Sequence, residues 1–415
     1  MSDTGRAAGM ALAVVASNSI GLAFTIVFAR ILGPSDYGSL AVLVSAWIIL
    51  MVPGSALQVA VARGVSRAAA GGGEPPGAGV ARWLEQLALA VVVTAAVAIP
   101  LRGVIAAVLN VDEEWAAAAV PVAGMLWTLL SVERGALQGF GEYRTVALSI
   151  VGEAGARLAF ALVLVLSGLD VTGAFLGTAL SVIAIGLALS GPLRRRLPPH
   201  AADRAAHGLR SLLAGAWAPA VGLSLLFALQ EVHIIVVKHT AASEAAGAYA
   251  VAAVAAKAII WVAVGLGLFL VPEAARRTET GDDARPVLGR ALGLIGLFSV
   301  PALLIFALAS EPLLSVAFGE DLTGGASSLP WLGVAMALLA STYLSVQYLL
   351  AIGRAAFIWI LAVAVAVEIA VVARIGADLE EVAIALALIQ AACAAVMLGV
   401  AAARTAAGEL EKVTA

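Results

Sequence analysis

The sequence predicts an all-α polytopic membrane protein with about 12 transmembrane helices in two six-helix lobes. Three observations predict it. The 415-residue chain is 62% hydrophobic and only 12% charged, whereas ordinary soluble domains carry roughly 25% charged residues. Its apolar runs are long enough to cross about 30 Å of hydrocarbon, which takes roughly 20 helical residues. Its Lys and Arg residues gather on one side when the runs are taken as successive crossings. A transmembrane β-barrel needs short segments of alternating polarity, and these runs do not alternate.

The elements follow in order. The first run, 8–31, comes after Arg6 and exceeds the apolar core of about 7–15 residues that a signal peptide carries, so it reads as the first helix. ARILGPSDYGSLAV (29–42) closes it and opens the second, 38–62. The loop GGGEPPGAG (71–79) leads to the third, 83–101, and acidic VDEEW (111–115) to the fourth, 116–139. The fifth and sixth are 145–167 and 171–192. After the basic stretch PLRRRLPPHAADRAAHGLR (192–210) come 212–237, 246–271, 287–309, 327–352, 355–375 and 380–403.

Placing the N-terminus in the cytoplasm puts Arg63, Arg67, Arg82, Arg144, the arginines of 194–210, Arg276, Arg277, Arg285, Arg290, Arg354, Arg404 and Lys412 inside. Outside stand only Arg30, Arg102, Lys238 and Arg374, with the acidic loops VDEEW, FGED (318–321) and ADLEE (377–381). The positive-inside rule therefore predicts that both termini are cytoplasmic.

Landmarks of the first half recur in the second at one offset of about 208–212 residues. Gly38 corresponds to Gly247, Pro100 to Pro312, LQGFG (137–141) to LLAIG (349–353), and GLDVTGA (168–174) to GADLEEVA (376–383). Six helices per half is an even number, so both halves enter from the same side and are related by a pseudo-twofold axis along the membrane normal. The expected organisation is an N-terminal lobe at 1–192, a basic linker at 193–211, a C-terminal lobe at 212–403 and a tail at 404–415, with the substrate path between the lobes.

Several function classes are disfavoured. Cys393 is the single cysteine, and the four histidines form no metal-ligand motif, so no metal site is expected. No P-loop, dinucleotide fingerprint or paired-carboxylate constellation occurs. No outside loop is large enough for a glycosyltransferase or polymerase site. The chain reads as a non-enzyme without a cofactor and without a nucleic-acid partner.

Further motifs sharpen this. RGALQGFGEYR (134–144) closes the fourth helix and GLDVTGAFLGTALS (168–181) opens the sixth. EAAGAYAVAAVAAK (244–257) and LVPEAAR (270–276) bound the eighth; LLSVAFGED (313–321) and YLLAIGR (348–354) bound the tenth. Together with ARILGPSDYGSLAV they resemble, over essentially the whole chain, the polysaccharide-transporter (Wzx-like oligosaccharide flippase) branch of the MOP superfamily, which also contains the MATE exporters. The resemblance implies a MATE-like fold of twelve helices in two lobes, located in the plasma membrane. It implies movement of an undecaprenyl-pyrophosphate-linked oligosaccharide from the inner to the outer leaflet, with membrane lipids and a polysaccharide polymerase complex as further partners. One departure stands out. Many relatives carry an acidic residue in the seventh helix where QEVHIIVV (230–237) places His233, with Glu231 two positions earlier. Two other functions stay open: a MATE-like ion-coupled exporter of small molecules, and a non-transporting scaffold of an envelope polysaccharide complex.

A charge inside the bilayer costs about 2.5–3.5 kcal/mol on insertion scales, so each one calls for a partner or a cavity. The substrate-pathway candidates are Asn18, Arg30, Gln58, Gln230, Glu231, His233 and Lys257. Lys257 and Glu231 either neutralise each other, or Lys257 joins Arg30 in receiving pyrophosphate while Glu231 or His233 exchanges protons. Glu368, alone near the middle of its helix, is the third proton-coupling candidate or a hydrogen-bonded neutral carboxyl. Glu153 and Arg157, four residues apart, share a helix face. With Glu133 and Arg134 they form an expected structural ion network.

Overall fold

The computed structural model describes residues 3–71, 77, 79–197, 209–280 and 282–403. The expected tail and residues 198–208 of the expected linker lie outside them. Among the described residues stand thirteen α-helices: α1 (Asp3–Ala69), α2 (Val80–Ala98), α3 (Arg102–Leu109), α4 (Glu114–Gly139), α5 (Tyr143–Leu164), α6 (Asp170–Arg194), α7 (Leu209–Thr240), α8 (Ser243–Ala256), α9 (Ala258–Glu279), α10 (Arg285–Phe318), α11 (Leu329–Ala351), α12 (Phe357–Ile375) and α13 (Leu379–Ala402). The protein is an all-α polytopic membrane protein. Among the described residues ten helical stretches are apolar and long enough to cross a membrane, and two of them, of 61 and 52 residues, are long enough to cross twice.

Both double stretches break where the sequence offers a flexible residue. In α1 the break is Gly33, at φ 76° and ψ 177°, followed by Pro34. Between α5 and α6 a π-turn, Val165–Leu169, holds Gly168 at φ 90°. The two breaks divide the stretches at the boundaries expected between helices one and two and between helices five and six.

Two of the repeated landmarks close their helices by the same bonds. At the end of α4, Glu142 N–H donates to the Leu137 carbonyl at 2.9 Å, with Gly141 between them at φ 82°. At the end of α11, Arg354 N–H donates to the Leu349 carbonyl at 2.9 Å, with Gly353 at φ 75°. Each is a Schellman closure, in which a left-handed glycine lets the chain turn back on the last helical carbonyls. The second landmark pair also has left-handed glycines, Gly168 and Gly376 at φ 90° and 80°.

The chain divides into two compact units. One is Met1–Val251 with Leu314–Gly324; the other is Ala252–Leu313 with Gly325–Ala415. In the first unit α1 packs against α4, α5 and α7, and α6 packs against α4 and α5. Its core includes Leu57, Val61, Leu130, Val132, Leu137 and Val182. Gly135 and Gly139 let α4 approach the second half of α1 closely: a Cβ on either would fall 2.5 Å from Gln58 O or Val65 Cβ. In the second unit α11 is the central helix, packed against α9 and α13, with α12 on α13.

Candidate functional site

Three buried polar clusters stand out among the apolar helices. The first joins α1, α7 and α8. Glu231 is fully buried, and each of its carboxylate oxygens meets a donor: Ser45 Oγ at 2.7 Å and Gln230 Nε2 at 2.9 Å. His233, also fully buried, has both ring nitrogens engaged. Nε2 lies 3.1 Å from the Gln230 carbonyl and Nδ1 2.9 Å from the Tyr249 hydroxyl. A carbonyl only accepts, so Nε2 carries the proton of the neutral ring and Nδ1 accepts from Tyr249. Were the ring to gain a proton, Nδ1–H would donate and the same hydroxyl would accept. The arrangement thus serves both charge states of the imidazole. The two rings meet edge to face, with centroids 5.6 Å apart.

The second cluster joins α4, α5 and α6. Arg134 reaches α5 at Ser149, donating from Nε to Oγ at 3.0 Å and from Nη2 to the carbonyl at 2.8 Å. Its guanidinium also lies 5.3 Å from the centre of the Trp127 ring. Glu133 and Glu153 are within electrostatic range of Arg134. Glu153 accepts from Ser181 Oγ at 3.3 Å. Arg157 lies over aromatic rings of α1, 5.4 Å from Phe24 and 5.8 Å from Trp47. No ion pair closes within 4.0 Å among these four charged residues.

The third cluster is in the second unit. Glu368 of α12 is fully buried and accepts from Gln390 Nε2 of α13 at 3.3 Å, while its other oxygen has no hydrogen-bond partner. Sequence spacing shows no partner for Glu368; the structure supplies one from the neighbouring helix.

Asn18, Arg30 and Gln58 stand at separate points of α1. Arg30 is exposed and donates to the carbonyls of Val316 and Ala317, the latter at 3.1 Å. Gln58 donates to Gln138 at 3.1 Å. Asn18 is half-buried on α1. Lys257 is buried at the break between α8 and α9. Among the described residues no three His, Cys, Asp or Glu side chains gather as metal ligands.

Sequence reasoning missed Ser45, Tyr249, Ser149 and Ser181. Serines inside apolar runs carry no spacing signal. Tyr249 did carry one, since a phenol in an apolar helix needs a partner for its hydroxyl. Beyond the spanning segments, Glu273 accepts from Arg276 at 2.8 and 3.0 Å and from Arg277 at 2.9 Å. These bonds, Arg276 first, hold its carboxyl down at about 2.

Comparison with known proteins gives one family and one fold. The family described as Polysaccharide biosynthesis protein matches residues 7–276. No protein of curated function matches in sequence. Among solved structures, the inward-facing conformation of a multidrug resistance MATE family transporter of the MOP superfamily superposes with a TM-score of 0.77 at 13% identity, covering 93% of each chain. A eukaryotic MATE transporter gives 0.66 at 15% identity over 96% of this chain and 94% of its own. A MOP superfamily transporter from Pyrococcus furiosus gives 0.62 at 15% identity over 95% and 94%. At these identities the likeness is one of fold.

Proposed function

Because the chain belongs to the polysaccharide biosynthesis protein family and folds as MOP-superfamily transporters do, we propose that it is a lipid-linked oligosaccharide flippase. Its cargo is a glycan on undecaprenyl pyrophosphate, carried from the inner to the outer leaflet of the plasma membrane by alternating access. The family match over residues 7–276 carries this reading. It is supported by a fold of membrane-spanning helices with polar clusters buried in both units. Glu231 and His233 are the proton-exchanging pair, because Tyr249 can serve His233 in either charge state. Glu368, with one oxygen unpartnered, is a second proton site.

The test is reconstitution. In proteoliposomes loaded with lipid-linked oligosaccharide, the protein should expose the glycan to an external glycosidase faster than protein-free vesicles do. The pH dependence of that rate should flatten in E368Q. Efflux of small cations with no movement of lipid-linked glycan would overturn the reading in favour of an exporter.

A further inference from the structure

Two concavities at one end of the first unit share a residue. The smaller, of about 370 Å³, lies where the second half of α1 meets the end of α4; Arg63, Ser66, Arg67 and Gln138 supply its polar lining. Arg63 and Arg67 are four residues apart, so their guanidiniums leave the helix on one face. Both are exposed, and neither is ion-paired with a described carboxylate within 4.0 Å. The larger, of about 620 Å³, is a groove between the first turns of α1's spanning part and the start of α5. Its walls are apolar, from Met10 and Ala13 on one side to Ala147 and Val151 on the other. At 1.5 Å per residue it runs about 10–12 Å along the helices. Tyr143 lines both concavities.

The mouth of the groove is basic as well. Glu142 is there, but Arg196 pairs with it, and the exposed Arg144 is left without an ion pair among the described residues. A cationic pocket beside a greasy channel, with Tyr143 lining both, matches an amphiphile with an anionic head and an apolar tail. Two guanidiniums on one face suit a head with several charged oxygens, each able to accept forked hydrogen bonds. A single channel bounded by two helices suits one chain. A bilayer phospholipid has the reverse proportions, with one phosphate charge and two chains.

We propose that the Arg63–Arg67 pocket and the α1–α5 groove together bind one isoprenoid pyrophosphate, with the head between the two arginines and the chain along Met10, Ala13 and Ala147. Neither arginine belongs to the buried clusters described above. The choice of an isoprenoid rests on the flippase reading; the charge and shape of the site do not.

The probe is geranylgeranyl pyrophosphate, titrated into the purified full-length protein in detergent at physiological salt. Geranylgeraniol, inorganic pyrophosphate and phosphatidylglycerol serve as tail, head and bilayer-lipid controls. The probe should bind more tightly than its head or its tail alone. R63Q/R67Q should weaken it by at least about tenfold, through loss of charge-assisted hydrogen bonds, while leaving geranylgeraniol binding unchanged. Ala147→Trp should weaken both. A diazirine on the probe's tail should label peptides from 9–16 or 143–151, a readout that needs no variant to fold. Unaltered probe binding in R63Q/R67Q, displacement by an equal concentration of phosphatidylglycerol, or labelling elsewhere would each overturn the site. Wild-type flipping by R63Q/R67Q removes this site and leaves the transport reading. Probe binding by a wild-type protein that moves no lipid-linked glycan removes the transport reading and leaves the site.

Discussion

Gly247 of α8 touches the carbonyl of Pro34 in the break of α1: a Cβ on Gly247 would lie 1.8 Å from that oxygen. Gly38 is part of the same contact, since its own Cβ would stand 3.2 Å from Gly247 N. Two glycines that the sequence marks as corresponding positions of a repeat thus sit backbone to backbone. Gly247→Ala cannot be absorbed by a side-chain rotation, because the obstacle is backbone. It should destabilise the protein by about 1–3 kcal/mol, the usual cost of overpacking, seen as a lower melting temperature in detergent. Gly38→Ala, with more room, should cost less.

Arg134 and Ser149 join α4 to α5 by a fork that lysine cannot reproduce. Arg134→Lys should lose one of the two bonds and the stacking on Trp127. The expected loss is about 1.5–3 kcal/mol, typical of a hydrogen bond to a charged group, measured by thermal or denaturant unfolding. A melting point equal to that of the wild type would show that the fork contributes nothing.

Tyr249→Phe removes the hydroxyl that lies 2.9 Å from His233 Nδ1. Loss of that hydrogen bond should cost about 0.5–1.5 kcal/mol. If the pair takes part in proton exchange, the pH profile of transport should shift in Tyr249→Phe as well. A stability loss with an unchanged profile assigns the pair to packing alone.

Glu273 has a pH window fixed by its arginines. Its folded carboxyl is depressed from 4.5 to about 2, so its contribution to stability is complete above the ordinary carboxylate range. It is lost as pH falls through the folded value. Glu273→Gln should therefore lower the melting temperature equally at neutral pH and at about pH 5. The difference should shrink between about pH 4 and pH 2. Added salt should shrink it too, because Arg276 and Arg277 lie near the surface.

The crossings were legible because bilayer thickness writes helix length into the sequence. The expected 116–139 and 327–352 meet α4 (Glu114–Gly139) and α11 (Leu329–Ala351) within two residues. The glycine turns were legible too, because a left-handed residue leaves glycine as its mark. Two elements were not. The eight-residue α3 is apolar but too short to read as a crossing. The break at Lys257 has neither glycine nor proline at it. In the candidate site, local spacing gave which charges are buried but not what they touch. Glu153 and Arg157 share a face, yet Arg157 stacks on aromatic rings far along the chain and Glu153 bonds Ser181. Such partners arrive from other helices, and no periodicity within one helix announces them.

Leu314–Gly324 groups with the first unit although the chain on either side of it groups with the second, and Arg30 holds the carbonyls of Val316 and Ala317 within that segment. A gene split in the basic stretch 193–211 would place Arg30 on one polypeptide and its acceptors on the other. The fragments would then relate as obligate subunits do. Expressed singly, the N-terminal piece should be short-lived in the membrane, and co-expression should rescue both by heterodimer formation.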